Sequence, residues 1–231
     1  LSQEDLKNLR LIRQKINDLE AEKYLKEGRT RKEIDKICNK KALDRVLDSL
    51  EMSYEELISD CQKHHKSLKL ASMYISIQAS RQGAIDESTI IKLCNETTSR
   101  FGVNIEQLSN DYARPHKHSD KIISRDEFMN GKGQFKKNDC LKSFDAEITG
   151  RIKGYVFAKV CIARGGHQDN VFEEAHCMCE WANKYGADDK IYVALIDTDL
   201  KERFEELESK YKDNSKVYVV DHVGLQKLLI N

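Results

Sequence analysis

Phe144-Asp145-Ala146-Glu147-Ile148, then Tyr155-Val156-Phe157-Ala158-Lys159-Val160, then Arg164-Gly165-Gly166-His167-Gln168-Asp169-Asn170-Val171-Phe172-Glu173-Glu174, is the stretch on which the reading of this chain turns. The first two runs are rich in strand-forming residues. Gly150-Arg151-Ile152-Lys153-Gly154 lies between them and predicts a hairpin. An aspartate at the start of a strand is most often structural. A lysine between Ala158 and Val160 is harder to explain that way, because burying an ammonium is costly unless it is paired. Adjacent strands can bring Asp145 and Lys159 to one end of a sheet. Alternation puts Asp145 and Glu147 on the same face, where both could reach one cation. The glycine-led turn that follows opens a helix carrying Glu173 and Glu174.

Working outward, residues 168–185 predict a helix that ends before Gly186, and residues 190–196 are the apolar run of a buried central strand. A helix over 200–211, a strand over 216–220 and a helix over 222–230 complete the C-terminal end. Upstream, helices are expected at 86–101 and, shorter, at 105–110. Residues 111–139 form the most basic long loop, an exposed connector or a segment that wraps duplex DNA. Before residue 80 there is only helical periodicity. Leu6, Leu9, Ile12, Ile16 and Leu19 recur at helical spacing over 3–27, a second helix spans 30–50, Ser53-Tyr54-Glu55-Glu56 starts a third with a capping box, and a fourth covers 68–79. The expectation is an α/β protein with a mixed β-sheet flanked by helices over residues 80–231, joined to an all-helical region at 1–79 that contacts DNA, braces the core or dimerises.

Lysine and arginine number 39 and so do aspartate and glutamate, for a net charge of +0. That argues against coating nucleic acid by bulk charge, although a basic cleft can be balanced by acid elsewhere. No apolar run approaches the roughly 18 residues of a membrane helix, and the first residues do not form a signal peptide. The seven cysteines are irregularly spaced without a Cys-x-x-Cys pair. They read as reduced thiols in a reducing, cytoplasmic setting rather than as a disulfide framework or zinc site.

Carboxylates beside a lysine suit metal-assisted phosphodiester hydrolysis. The metal lowers the pKa of water and stabilises the leaving oxygen, and the lysine positions water or phosphate. Asp145, a hairpin, and Lys159 on an apolar strand resemble the nuclease fold written PD-(D/E)xK. The Arg164–Phe172 run resembles a segment of type II restriction endonucleases. The resemblance spans residues 144–196 and departs from the pattern at Phe157, where the acid two before the lysine is expected. Some restriction enzymes of this fold supply that carboxylate from the following helix, and Glu173, fourteen residues past Lys159, matches the relocated position.

The resemblance implies a Mg2+-dependent, sequence-specific endonuclease on double-stranded DNA. Its catalytic residues would be Asp145, Lys159 and Glu173, with the metal on Asp145 and Glu173, and Glu147 then Glu174 as the next candidates. Arg164, Gly165, Gly166, His167, Gln168, Asp169 and Asn170 would contact DNA, the amides and arginine reading base edges and the helix start attracting phosphate. Arg81 and Gln82 are a second reading element. A short palindromic site implies a homodimer. The alternatives are a non-catalytic DNA-binding protein that keeps the fold, and a nuclease acting on branched DNA.

Overall fold

A computed structural model describes residues 3–130, 135–161 and 168–231. The chain divides into two compact units, Leu1–Gly83 and Ala84–Asn231.

The first unit is helical. It comprises α1 (Gln3–Lys26), α2 (Arg31–Ile34), α3 (Lys40–Leu50), α4 (Tyr54–Lys63) and α5 (His65–Ile75). Gly28, at φ 65°, ends α1 in a left-handed turn that favours glycine. The continuous helix expected over 30–50 is broken. The Asn39 side chain accepts from the Ala42 N–H at 3.2 Å to start α3, and its own N–H donates to the Ile75 carbonyl at 2.7 Å. Ser53 and Glu56 form the expected capping box at α4. Leu25, Ile34, Leu43, Leu57 and Ile75 are central to the unit's apolar core.

The second unit opens with α6 (Gly83–Thr98) and contains a five-stranded sheet. Its strands are β1 (Val103–Gln107), β4 (Ala146–Gly150), β5 (Gly154–Cys161), β6 (Ile191–Thr198) and β7 (Val217–Val220), in that spatial order. The β1–β4 and β4–β5 pairs are antiparallel, and the β5–β6 and β6–β7 pairs are parallel. The parallel pairs need crossovers, supplied by α8 (Gln168–Tyr185) and α9 (Lys201–Tyr211). Both helices pack on one sheet face with Phe157, Tyr192, Ala194, Ile196, Val217 and Val219. The alternate residues Val156, Val193 and Leu195 are also buried and point to the other face, so the central strands read as unbroken apolar runs. The last helix, α10 (His222–Ile230), packs on β6 and β7. The mixed sheet flanked by helices agrees with the expectation from sequence. So does the helical N-terminal region.

Two further expectations are corrected, both in the second unit. The short helix at 105–110 is instead the edge strand β1, whose Val103 and Ile105 point inward and whose Asn104 pairs with Thr149 of β4. The basic 111–139 loop contains the small hairpin β2 (Ala113–Pro115) and β3 (Ile122–Ser124), then α7 (Arg125–Asn130). It is anchored: Trp181 Nε1 on α8 donates to the carbonyls of His116 and Ser119 at 2.8 Å, and buried Arg114 is paired with Asp111.

Candidate functional site

Asp145 immediately precedes β4 and extends its pairing. Its N–H donates to the Val156 carbonyl at 2.8 Å, and its own carbonyl accepts from the Leu108 N–H at 2.9 Å. With the backbone tied on both sides, the carboxylate is aimed at β5, where Oδ2 accepts from the Ala158 N–H at 2.7 Å. Lys159, one residue on, lays its ammonium 4.7 Å over the Phe157 ring, 3.0 Å from Glu87 Oε1 and 4.0 Å from Asp145 Oδ2. Glu87 comes from the first turns of α6. The three side chains are only 18–25% exposed. They sit near the sheet end where β5 leads toward α8.

The electrostatics of this cluster are unbalanced. Burial raises the Asp145 carboxyl from 3.8 to about 6, against the pull of Lys159 and the Ala158 N–H. The charges of Glu87 and Glu174 push it further up. Burial also opposes the charge on Lys159, but Asp145 and Glu87, with Glu174 contributing, outweigh it and hold the ammonium above its ordinary range. Carboxylates therefore outnumber the lysine they surround, which is the setting for a hard divalent cation. Among the described residues, no three His, Cys, Asp or Glu side chains already form a set that could hold a metal ion. In the present arrangement Lys159 is in contact with Glu87.

The chain matches no protein-family model, no curated protein and no solved structure. The chemistry of the site is therefore read from its own atoms.

Of the residues singled out from sequence, Asp145 and Lys159 are brought together. Phe157, at the position of the missing acid, is 1% exposed and packs in the core with α8. Glu147 sits further along β4, opposite Glu106 and Tyr155; burial and then the Glu147 charge raise the Tyr155 hydroxyl to about 12. Glu173 is exposed and lines a groove with His176, Arg203, Glu206 and Lys210. Its neighbour Glu174 is the α8 carboxylate whose charge acts on Asp145 and Lys159, and it lies 3.6 Å from Lys142 Nζ. Arg164, Gly165, Gly166 and His167 lie outside the described residues, as do the side chains of Arg81, Gln168 and Asp169. Asn170 is exposed in the first turn of α8. Gln82 Oε1 accepts from Asn17 Nδ2 at 3.2 Å within the helical unit.

Glu87 was not anticipated from the sequence. A signal for it existed: Glu87, Ile90, Ile91 and Cys94 recur at helical spacing, and the last three are buried, so this glutamate stands on the inward stripe of its helix.

Among the described residues no disulfide joins any of the seven cysteines. Among the described residues no helix is long and apolar enough to cross a membrane.

Proposed function

We propose that this chain is a Mg2+-dependent, site-specific endonuclease for double-stranded DNA, a PD-(D/E)xK enzyme of the type II restriction class. The observation that carries the reading is the convergence on Lys159 of Asp145, from the neighbouring strand, and Glu87, from the helix that opens the unit. The order of that core, helix α6, three antiparallel strands, helix α8 and a parallel strand, supports it.

The donor set fits Mg2+ because it is made of carboxylate oxygens with negative charge in excess. When bound, the ion polarises a phosphoryl oxygen and lowers the pKa of its water. Asp145, fixed by its backbone bonds and the Ala158 N–H, would hold the ion through a carboxylate oxygen, and Glu174 on α8, whose charge reaches Asp145, would supply a second ligand. Glu87 holds Lys159, whose ammonium orients water or steadies charge on the phosphate. The start of α8, where Asn170 is exposed, would offer phosphate a favourable helix dipole. Two copies, one for each strand, would complete a double-strand cut at a palindrome.

Incubation of the protein with plasmid and Mg2+ tests the reading, and discrete fragments are expected. Intact DNA across many sequences, with a mobility shift in Ca2+ or Mg2+, would instead identify a non-catalytic binder, the reading that Phe157 in the acid position favours. Cutting confined to branched DNA would identify a junction nuclease.

A further inference from the structure

The first helix of the N-terminal unit is apolar on the side that its own unit does not use. Its inward face carries Ala21 and Leu25, both fully buried, and the side chains of Gln14 and Asn17, which bond to Ala79 and Ile77. On the opposite side stand Leu9, Ile12, Ile16 and Leu19, with 37, 56, 56 and 51% of their surface exposed. Their spacing of three, four and three is the a–d–a–d repeat of a helix seam. Isolated exposed aliphatics need no explanation, but four in register form a continuous stripe.

We infer that this stripe is a pairing surface for a second copy of the chain, with the two α1 helices side by side and parallel. Charge decides the occupant and the direction. With Leu9 and Ile16 at a, and Ile12 and Leu19 at d, Lys15 falls at g and Glu20 at e. Both are exposed, and neither has a partner among the described residues of its own chain. In a parallel pair, g of one helix meets the following e of the other, so Lys15 faces Glu20 of the second copy and the contact occurs twice. An antiparallel pair sets Lys15 against Lys15 and Glu20 against Glu20, which is repulsive. Ile16 at a with Leu19 at d is also the order that favours two strands. The first heptad carries the reverse order and weakens that preference.

The seam covers two heptads, so its area falls below that of a standard stable interface. The pair therefore dissociates in the micromolar range. This surface does not rest on the nuclease reading and is measured without DNA.

Sedimentation equilibrium of the full chain, from micromolar to near-millimolar concentration, tests it. A monomer–dimer equilibrium is expected. Ile12→Glu with Ile16→Glu should raise the dissociation constant by at least about 100-fold, with the helical circular dichroism of the full chain unchanged because neither side chain is on the packed face. Lys15→Glu alone and Glu20→Lys alone should each weaken association by about threefold to tenfold, and the double swap should restore it. A monomer at every concentration overturns the proposal. So does a dimer indifferent to Ile12 and Ile16. Single charge changes that leave the dimer unaltered overturn the parallel pairing.

Discussion

Asp145, just before β4, and Asp197, on β6, lie near the same end of one sheet on either side of β5, and the molecule treats them in opposite ways. Asp197 is sealed, with 4% of its side chain exposed, and both of its oxygens meet His222 Nδ1 at 2.9 and 3.0 Å. The His222 N–H adds a bond at 3.3 Å, so the pair pins the start of α10 to β6. Asp145 keeps a quarter of its side chain exposed and meets its lysine only at 4.0 Å, with Glu87 and Glu174 adding negative charge. A closed, hydrogen-bonded pair serves folding. An open cluster in which the acids outnumber the base is held at a cost in stability and is where chemistry is expected.

The contrast breaks most easily at its open end. Asp145→Ala and Lys159→Ala are each expected to lower DNA cleavage by about 1,000-fold or more, since on the proposed reading both would serve the metal and the transition state. Duplex binding in Ca2+ should stay within about threefold of the parent. A variant at either position that still cuts at near-parental rate would remove the site. The closed end should respond in the other currency. His222→Ala leaves the buried Asp197 side chain with only the backbone N–H of residue 222, and is expected to lower the unfolding free energy by about 3 kcal/mol, read by urea titration. Cleavage by the folded fraction should change less than about twofold. Activity lost without stability lost would mean that Asp197 and His222 belong to the chemistry.

The sequence showed these two ends unequally. Asp145 and Lys159 were legible because each charged residue interrupts an apolar strand, and the hairpin between them sets their registry. The strands β5 and β6 and the helix between them were legible for the same reason: long runs with one periodicity. The strand β1 was not, because five residues with one exposed face read equally as a turn of helix, and its partner lies about forty residues on. The three-residue strands β2 and β3 are too short to carry a pattern at all. Glu87 was hidden by distance, since its lysine is 72 residues away and Asp86-Glu87 looks like any acidic first turn. The Asp197–His222 pair was hidden likewise, 25 residues apart across a helix and a strand.

Proton linkage sharpens the comparison further. The folded chain raises the Asp145 carboxyl to about 6 from its ordinary value of 3.8, so folding favours the protonated form. Its stabilising contribution is full below roughly pH 4 and is lost as pH rises through about 6. In EDTA, wild-type stability relative to Asp145→Asn should therefore fall across that window, by about 1–3 kcal/mol, the range reflecting the carboxylate's partial exposure. At neutral pH without metal, Asp145→Asn should be the more stable protein, although it is expected to be inactive. Mg2+ should close the gap by binding the ionised wild type alone, with affinity that weakens below about pH 6. Parallel stability curves for the two proteins would show that Asp145 is not under this strain.

The smallest expected effect separates two neighbours on α8. A metal held at Asp145 needs a further carboxylate, and residues 173 and 174 differ by about 100° around the helix axis, so only one can face the strand ends. Glu174 is half-buried, lies 3.6 Å from Lys142, and its charge reaches Asp145 and Lys159. Glu173 is exposed on the side of the helix that lines the groove with Arg203 and Lys210. Glu174→Gln keeps the size and removes the charge. It should lower cleavage by about tenfold at limiting Mg2+ and be partly rescued at high Mg2+, because the loss is one of metal affinity. Glu173→Gln should change either rate by less than about twofold. The opposite order would return the second ligand to Glu173, the position that the spacing from Lys159 points to. It would also mean that the first turns of α8 rotate when metal and DNA are bound.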